Sequence, residues 1–235
     1  MLFQDVKALA DPVRAKASQR FFKTGIGEYG EGDLFLGLTV PQCRELAKKY
    51  QDLSFIDVTK ILTSPIHEER LIALLILVER YKKAEKKDKE YIFHFYLAHI
   101  VYINNWDFVD LSADKIVGQW LFDNGKTLKI DLLTKLATSD SVWERRIAIM
   151  ATFRFIKNNL PEETFRVAEL LLNDTHDLIH KAVGWMLREV GKRCSVEVEE
   201  SFLRKHYKNM PRTMLRYAIE RFPEKKRLGY LQGRI

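Results

Sequence analysis

HEERLIALLILVERYKK, residues 67–83, contains apolar side chains that recur at intervals of three and four residues. That spacing places them on one face of an α-helix, because a half-buried strand would need alternation of apolar and polar residues. Ala73 lies inside the apolar stripe, and the last turn is basic, which suits the negative end of the helix dipole. The apolar run 71–78 is far too short to cross a bilayer, so the stretch predicts a buried helix.

Three later segments have the same pattern, namely WERRIAIMATFRFIKNN (143–159), DLIHKAVGWMLREVGKR (177–193) and PRTMLRYAIERFPEKKR (211–227). The small residue of each segment serves as an anchor, and the four anchors are Ala73, Ala148, Ala182 and Ala218. These anchors are separated by 75, 34 and 36 residues. Because the first interval is about twice the others, a further repeat should centre near residue 110.

A period in the middle thirties with two helices per repeat is typical of α-solenoids of the HEAT or TPR type. The TPR pattern of Trp, Gly, Tyr and Pro at fixed places is absent from the sequence, which favours the HEAT-like alternative. We therefore predict an all-α fold in which residues 1–235 form a single domain, an α-solenoid of HEAT-like helical repeats. The second helices of such a stack line a concave DNA-binding face, whose shape suits a duplex.

Basic residues are concentrated at the end of the chain. The 39 Lys and Arg residues exceed the 32 Asp and Glu residues by 7, and residues 176–235, with 14 basic and 7 acidic side chains, account for the whole excess. A polyanion is indicated, with nucleic acid ahead of a membrane, because no long basic amphipathic helix with a Trp and Phe face stands out. A basic surface that only keeps the protein in solution is the alternative from charge alone.

The two cysteines, Cys43 and Cys194, are too few for a disulfide-rich secreted scaffold and lack the spacing of a metal knuckle. Residues 1–16, MLFQDVKALADPVRAK, predict a short amphipathic helix and lack the apolar core and cleavage site of a signal peptide. We therefore expect a reducing, cytoplasmic location.

FFKTGIGEYGEGDLFLG, residues 21–37, contains five of the eleven glycines of the chain. The segment lacks the Gly-Lys-Ser/Thr ending of a phosphate-binding P-loop and follows no predicted strand, which disfavours a nucleotide site. A flexible or tightly turned connection between the first two helices is the better interpretation, because glycine adopts backbone conformations that other residues avoid. Such a connection could offer Tyr29 and Lys23 to a ligand.

His176 and His180 have the i, i+4 spacing of a zinc-binding helix pair, but no third ligand is indicated nearby. Asp174 or Thr175 is predicted as the N-cap, which would place His176 in an exposed first turn. Two histidines that face phosphate, or that have no role, are the plainer interpretation. We predict no metal site and no cofactor, and no motif of covalent catalysis is present.

Aromatic and basic residues fall together inside successive repeats. NNWDFVD (104–110) places Trp106 and Asp110 four residues apart, hence on one helix face. The later groups are Trp143 with Arg145 and Arg146, and Trp185 with Arg188. A tryptophan at helical spacing is more often a core residue, and an aspartate inside a helix is usually solvated or paired with a cation. The recurrence of the pattern favours a functional interpretation.

These motifs, WDFVD, WERR and KAVGWMLREVGK, resemble the AlkD-type DNA glycosylases, HEAT-like proteins that excise alkylated purines from DNA. FFKTGxGxYGEGDxFLG and VPQCRELAKKY resemble the bacterial DNA alkylation repair proteins of the same superfamily, and the likeness covers nearly the whole chain. The resemblance implies base-excision repair of 3-methyladenine and 7-methylguanine in double-stranded DNA. We expect no membrane partner, no obligate protein partner and a monomer, because a solenoid that acts on DNA needs no partner subunit.

Matched residue by residue, the resemblance assigns the catalytic carboxylate to Asp110, and the two tryptophans of the lesion site to Trp106 and Trp185. Its phosphate-contacting arginine falls on Arg146, with Arg145 as the alternative. The N-terminal aromatic of the family has no clean equivalent, and Tyr29 is the hypothesis for it. The predicted set of DNA-binding residues is Arg146, Arg145, Arg188, Lys181, Tyr29 and Lys23.

An alkylated purine with a positive charge leaves as a neutral base, while cationic character develops on the deoxyribose. A fixed carboxylate near the sugar would stabilise that cation, and indole rings would assist it. Two other interpretations stay open, namely a HEAT-like module that binds damaged or branched DNA without excision, and a scaffold for protein partners. The scaffold leaves the basic excess unexplained.

Overall fold

The computed structural model describes residues 1–235, with the side chains of all residues except 126–129. Its regular structure is helical, which confirms the all-α prediction, and an isolated parallel β-bridge joins Leu34 to Ile66. The chain divides into two compact units, Met1–Ser112 and Ala113–Ile235, called the N-terminal and C-terminal units below. The single repeat domain stays a prediction. Among the described residues, no helix combines the length and the apolar character needed to cross a membrane.

The N-terminal unit contains seven α-helices, which are α1 (Leu2–Ala8), α2 (Pro12–Phe21), α3 (Val40–Lys49), α4 (Phe55–Leu62), α5 (His67–Lys83), α6 (Lys86–Ala98) and α7 (Trp106–Ser112). Helix α5 has the bounds predicted from its apolar periodicity and is buried over most of its length. It packs against α3, α4, α6 and α7, and it is therefore the central element of this unit.

Residues 1–16 contain all of α1 and the start of α2, so the prediction of one helix was wrong. Asp11 interrupts it, because its Oδ1 accepts the backbone N–H groups of Val13 and Arg14, both at 3.0 Å. Pro12 follows at the first helical position, where its missing N–H costs nothing.

The glycine-rich segment is tightly turned, which was one of the two predicted alternatives. It connects the second and third helices, α2 and α3, and not the first two, because residues 1–16 contain two helix starts. Gly37 has a φ of +85°, and a Cβ atom there would lie 2.2 Å from the carbonyl oxygen of Asp11, so only glycine fits. The buried carboxylate of Glu68 on α5 accepts the backbone N–H of Gly37 at 2.6 Å. The same carboxylate accepts the N–H groups of Leu36 and Leu38. The end of this segment is therefore fixed to the central helix.

The C-terminal unit begins with a π-helical turn (Asp114–Gly118) and contains α8 (Gln119–Asp123), α9 (Lys126–Ala137), α10 (Val142–Ala151), α11 (Phe153–Ile156), α12 (Glu162–Leu170), α13 (Asp177–Arg193), α14 (Val196–His206), α15 (Arg212–Ala218) and α16 (Glu224–Leu231). Helix α13 has its predicted bounds. A helix, α7, lies near residue 110, where a further repeat was expected.

Two predicted helices are shorter than their sequence patterns. The helix over 143–159 breaks after Ala151, where the Thr152 hydroxyl donates to the Ile149 carbonyl at 2.7 Å and competes with the helical hydrogen bonds. The helix over 211–227 ends at Ala218 and continues as a 3₁₀ turn. Phe222 is then extended, because the following Pro223 disfavours the helical conformation at the residue before it.

Candidate functional site

Helix α7 presents Trp106 and Asp110 on one face, as the spacing predicted. Both side chains are half-buried, whereas Phe108, Val109 and Ser112 on the other face are fully buried. The hydroxyls of Ser112 and Tyr96 are hydrogen-bonded at 2.9 Å, which connects this face to α6. The helix is therefore anchored by its apolar face and leaves Trp106 and Asp110 partly accessible.

Two phenylalanines at the end of α2 pack against Trp106, and sequence reasoning missed both. The Phe22 ring stacks on the indole with centroids 5.2 Å apart and planes 13° apart. The Phe21 ring meets it edge-on at 5.8 Å and 74°, and Phe21 remains 65% exposed. Trp106 is thus partly a packing residue and partly a member of an exposed aromatic surface, formed by Phe21 and Trp106.

A buried charge cluster lies at the start of α7 and consists of Asp33, His67, Arg70, Asn105 and Asp107. His67 Nδ1 is 3.0 Å from Asp33 Oδ2, and His67 Nε2 is 2.8 Å from Asp107 Oδ2. Arg70 donates to the other oxygen of Asp33, and Asn105 donates to Asp33 at 3.2 Å. The cluster joins the glycine-rich segment, α5 and the first turn of α7.

Charges within the cluster shift the titration of its members. Burial favours the neutral form of Asp33, but the hydrogen bond from His67 and the charge of Arg70 outweigh it and lower the pKa of this carboxyl. Burial likewise opposes the charge on His67, but the hydrogen bonds to Asp107 and Asp33 outweigh it and raise the pKa of the imidazole. Sequence reasoning gave no sign of this cluster, because its members come from three distant segments.

Trp185 lies on α13 in the C-terminal unit and is half-buried, with its ring 6.5 Å from that of Phe153. The neighbouring Gly184 permits a close crossing of α13 and α15. A Cβ atom at Gly184 would lie 2.4 Å from the Met214 carbonyl oxygen and 2.5 Å from Tyr217 Cβ. This glycine therefore sets how near the side chains of α15 come to the Trp185 region of α13.

A groove of about 590 Å³, called the basic groove, opens between α13, α15 and α16. Four cations and two carboxylates line it with a threonine and a tyrosine, namely Lys181, Arg188, Arg216, Arg227, Asp177, Glu220, Thr213 and Tyr217. Lys181 pairs with Asp177 at 2.6 Å, and Arg188 pairs with Glu220. Two predicted DNA-binding residues, Lys181 and Arg188, are thus brought together, and Arg216 and Arg227 are additions that sequence reasoning missed.

Arg145 and Arg146 both have intramolecular partners. Arg146 is only 5% exposed, and its Nη1 donates to the Leu178 carbonyl at 2.6 Å. Arg145 Nε donates to Asp174 Oδ2 at 2.6 Å, and its Nη1 donates to the Asp140 carbonyl at 2.8 Å. A phosphate would have to share or displace these partners, so the phosphate role of either arginine stays a prediction.

Lys23 and Tyr29 lie in the glycine-rich segment of the N-terminal unit. The exposed Lys23 has a positive φ of 55° and its ammonium lies 3.8 Å from Glu28. Tyr29 is half-buried. Their contacts with a ligand stay a prediction.

His176 itself is the N-cap of α13, so the prediction of Asp174 or Thr175 was wrong. Its Nδ1 accepts the N–H of Leu178 at 3.2 Å, while Asp174 accepts the N–H of His176 at 2.8 Å. Burial lowers the pKa of His176, which is half-buried rather than exposed. Within the described part of the chain, no three His, Cys, Asp or Glu side chains are grouped as a metal ion would need.

The chain matches one family model and resembles solved structures. The family model described as DNA alkylation repair enzyme matches residues 2–222. A solved structure named as a predicted DNA alkylation repair enzyme from Enterococcus faecalis superposes with a TM-score of 0.69 at 14% identity, over 92% of this chain and 97% of that chain. The structure of smu.31 from Streptococcus mutans UA159 gives 0.54 at 18% identity, over 79% and 93%. No curated protein matches the chain significantly. The structural likenesses confirm the predicted HEAT-like fold.

Proposed function

The chain belongs to the family of DNA alkylation repair enzymes, and on that premise we propose that it is a DNA glycosylase. Its substrates are cationic alkylated purines such as 7-methylguanine and 3-methyladenine in duplex DNA. The supporting observation is the half-exposed pair of Trp106 and Asp110 on α7, whose first turn is held by the buried charge cluster. This arrangement offers a fixed anion beside an aromatic surface.

In the proposed reaction the bond between the sugar C1′ and the purine nitrogen breaks, and its electron pair leaves with the base. The base becomes neutral, the deoxyribose becomes an oxocarbenium-like cation, and water adds to C1′ with loss of a proton. Asp110 stabilises the sugar cation and can orient the water. A carboxylate about 4 Å away at an effective dielectric of about 20 supplies roughly 4 kcal/mol, or about three decades of rate. That is enough for a cationic base and far too little for an undamaged purine.

The aromatic surface of Phe21 and Trp106 supports the same chemistry. Aromatic faces stabilise a neighbouring cation by roughly 0.5–2 kcal/mol, and they pack well against deoxyribose. Phe21 contacts Trp106 directly and is largely exposed. We therefore assign the role of the N-terminal aromatic to Phe21 in preference to Tyr29. The assignment of Trp185 to the lesion site stays a prediction.

Backbone binding is assigned to the basic groove of the C-terminal unit. Lys181, Arg188, Arg216 and Arg227 line it. Three of these are arginines, whose guanidinium groups match the geometry of phosphate. Contacts of this kind bind DNA independently of sequence and weaken as salt rises.

The test is base release from a duplex that contains one 7-methylguanine. The wild-type protein should release the free base faster than the uncatalysed reaction. Asp110→Asn should reduce release by about three decades, because the stabilising charge is lost while the shape is kept. Asp123→Asn, the same change at an exposed site on α8, is the control and should behave as wild type.

A module that binds damaged DNA without excision is the rival proposal. It would be favoured by wild-type protein that binds the lesion duplex and releases no base. Equal release by wild type and Asp110→Asn would instead remove Asp110 from the mechanism while leaving an enzyme.

A further inference from the structure

Both ring nitrogens of His67 face carboxylate oxygens, those of Asp33 and Asp107. An ionised carboxylate only accepts hydrogen bonds, so each ring nitrogen must donate, and imidazole donates from both nitrogens only when it is protonated. Phe35 and Phe108 stack on the two faces of the ring with centroids 4.4 and 4.3 Å away, where aromatic faces favour a cation. The geometry therefore assigns a positive charge to His67.

Charge balance in the cluster depends on that proton. Asp33 and Asp107 carry two negative charges, and Arg70 and protonated His67 carry two positive charges. A neutral imidazole would leave one carboxylate charge buried without compensation, which is costly at low dielectric. The other nearby titratable groups are Glu68 on α5, whose carboxylate is held by three backbone N–H groups, and Cys43 on α3. Burial, with Glu68 and Asp107, raises the pKa of the Cys43 thiol to about 12, so it adds no charge at neutral pH.

The cluster holds the first turn of α7 by its backbone. Asn105 donates to Asp33 through its side-chain amide, and its oxygen accepts the N–H of Trp106 at 2.8 Å. Asp107 accepts the N–H of Phe108 at 2.9 Å with the oxygen that His67 does not use. Asp110 lies one turn further along the same helix.

Phe22 adds a second connection between the cluster and the candidate site. Its ring centroid lies 4.7 Å from that of His67 and 5.2 Å from that of Trp106. A movement of the imidazole would therefore displace the indole through Phe22, as well as through α7.

We propose that His67, with Asp33 and Arg70, is a positioning residue for the reaction, which places Asp110 and Trp106 correctly only while the imidazolium bridges the two carboxylates. The kinetic test of this inference rests on the proposed glycosylase activity. The structural test described below does not.

The kinetic test is the limiting single-turnover rate of 7-methylguanine release across the pH range in which ¹⁵N NMR shows His67 losing its proton, divided by the uncatalysed rate at each pH. Because the pKa of His67 is raised above its ordinary 6.5, the bridge is complete at low pH and is lost as pH rises through the folded-state value. We expect the wild-type rate to fall by about tenfold along this alkaline limb, since small misplacements of catalytic groups are costly. Titration of Asp110 would instead lower the rate towards acid pH.

His67→Gln should give a rate about tenfold below the wild-type plateau and no alkaline limb, because its amide cannot carry the charge. His99→Gln is the matched control, since His99 lies in the same unit but bonds the Phe95 carbonyl outside the cluster. This control should keep the wild-type profile. A flat wild-type profile, or loss of the limb in His99→Gln, would overturn the proposal.

The structural test uses wild-type protein alone and holds even if His67→Gln does not fold. Hydrogen exchange of the Trp106 and Phe108 amides should speed up, beyond the intrinsic pH effect, over the pH range in which ¹⁵N NMR shows His67 losing its proton. Unchanged protection across that titration would refute the positioning role. If no base is released at any pH yet protection follows the His67 titration, the glycosylase proposal fails and the positioning of α7 stands.

Discussion

The two units use their charges in opposite ways. The N-terminal unit has 16 Lys and Arg residues and 16 Asp and Glu residues, whereas the C-terminal unit has 23 and 16, so the entire excess of 7 lies in the latter. In the N-terminal unit the buried Asp33, His67, Arg70 and Asp107 form one connected cluster beside α7. In the C-terminal unit four cations and two carboxylates line an open groove. The difference separates charges that fix geometry from charges that are available to a polyanion.

The largest expected effect contrasts a buried cation with an exposed one. Arg70→Met should lower the free energy of unfolding by roughly 3–5 kcal/mol, because it leaves the carboxylate of Asp33 buried with one fewer partner. Lys181→Met removes an exposed ion pair with Asp177 and should change the free energy of unfolding by less than about 1 kcal/mol. Urea unfolding at pH 7 measures both. Similar losses for the two variants would show that charges in the two units are equivalent.

A smaller change in the free energy of unfolding is expected when a buried carboxyl group is replaced by an amide, and the sign of this change differs between the units. Burial, with Glu200 nearby, raises the pKa of Glu199 to about 8 in the C-terminal unit. Its ionisation therefore destabilises the fold as pH rises from about 4.5 to 8. Each pH unit in that range lowers the free energy of unfolding of the wild type by about 1.4 kcal/mol. The free energy of unfolding of Glu199→Gln, relative to that of the wild type, should therefore increase by roughly 3 kcal/mol between pH 4 and pH 7.

Glu68→Gln, the matched change in the N-terminal unit, should instead lower the free energy of unfolding by roughly 1–3 kcal/mol at pH 7, since the carboxylate accepts three backbone N–H groups. The same pH series of urea unfolding curves checks both variants. A Glu199→Gln protein that is less stable than wild type at pH 7 would contradict this contrast.

The smallest effect concerns DNA affinity. Arg216→Gln combined with Arg227→Gln should weaken binding of unmodified duplex by about tenfold and reduce the salt slope by about 2, one unit for each lost phosphate contact. Lys86→Gln combined with Lys87→Gln removes two exposed charges from the neutral unit and is the control. Fluorescence anisotropy across 50–200 mM salt measures the slopes. Equal slopes for the two double variants would show that binding follows net charge and not the basic groove.

Periodicity predicted the long helices well, because α5 and α13, each 17 residues long, have an uninterrupted apolar stripe. It failed where a single side chain changes the backbone. Thr152 breaks the helix that begins at Val142, and Pro223 ends the last predicted one. Such breaks are local competitions of hydrogen bonding and sterics that a hydrophobic pattern does not contain.

The candidate site was predictable only in part. The spacing of Trp106 and Asp110 is local and appears in the structure as one face of α7. The packing of Phe21 on Trp106 joins residues 85 positions apart, and the pairing of Asp33 with His67 joins residues 34 apart. Neither pairing has a signature within a sequence window, so both emerged only from the fold.

The central claim is that the N-terminal unit performs the chemistry and the C-terminal unit binds the duplex. Single-turnover release of 7-methylguanine, measured against protein concentration, tests it most directly. Asp110→Asn should lower the limiting rate by about three decades and leave the half-saturating concentration unchanged. Arg216→Gln with Arg227→Gln should raise that concentration by about tenfold and leave the limiting rate unchanged. An Asp110→Asn protein with the wild-type limiting rate would contradict the account.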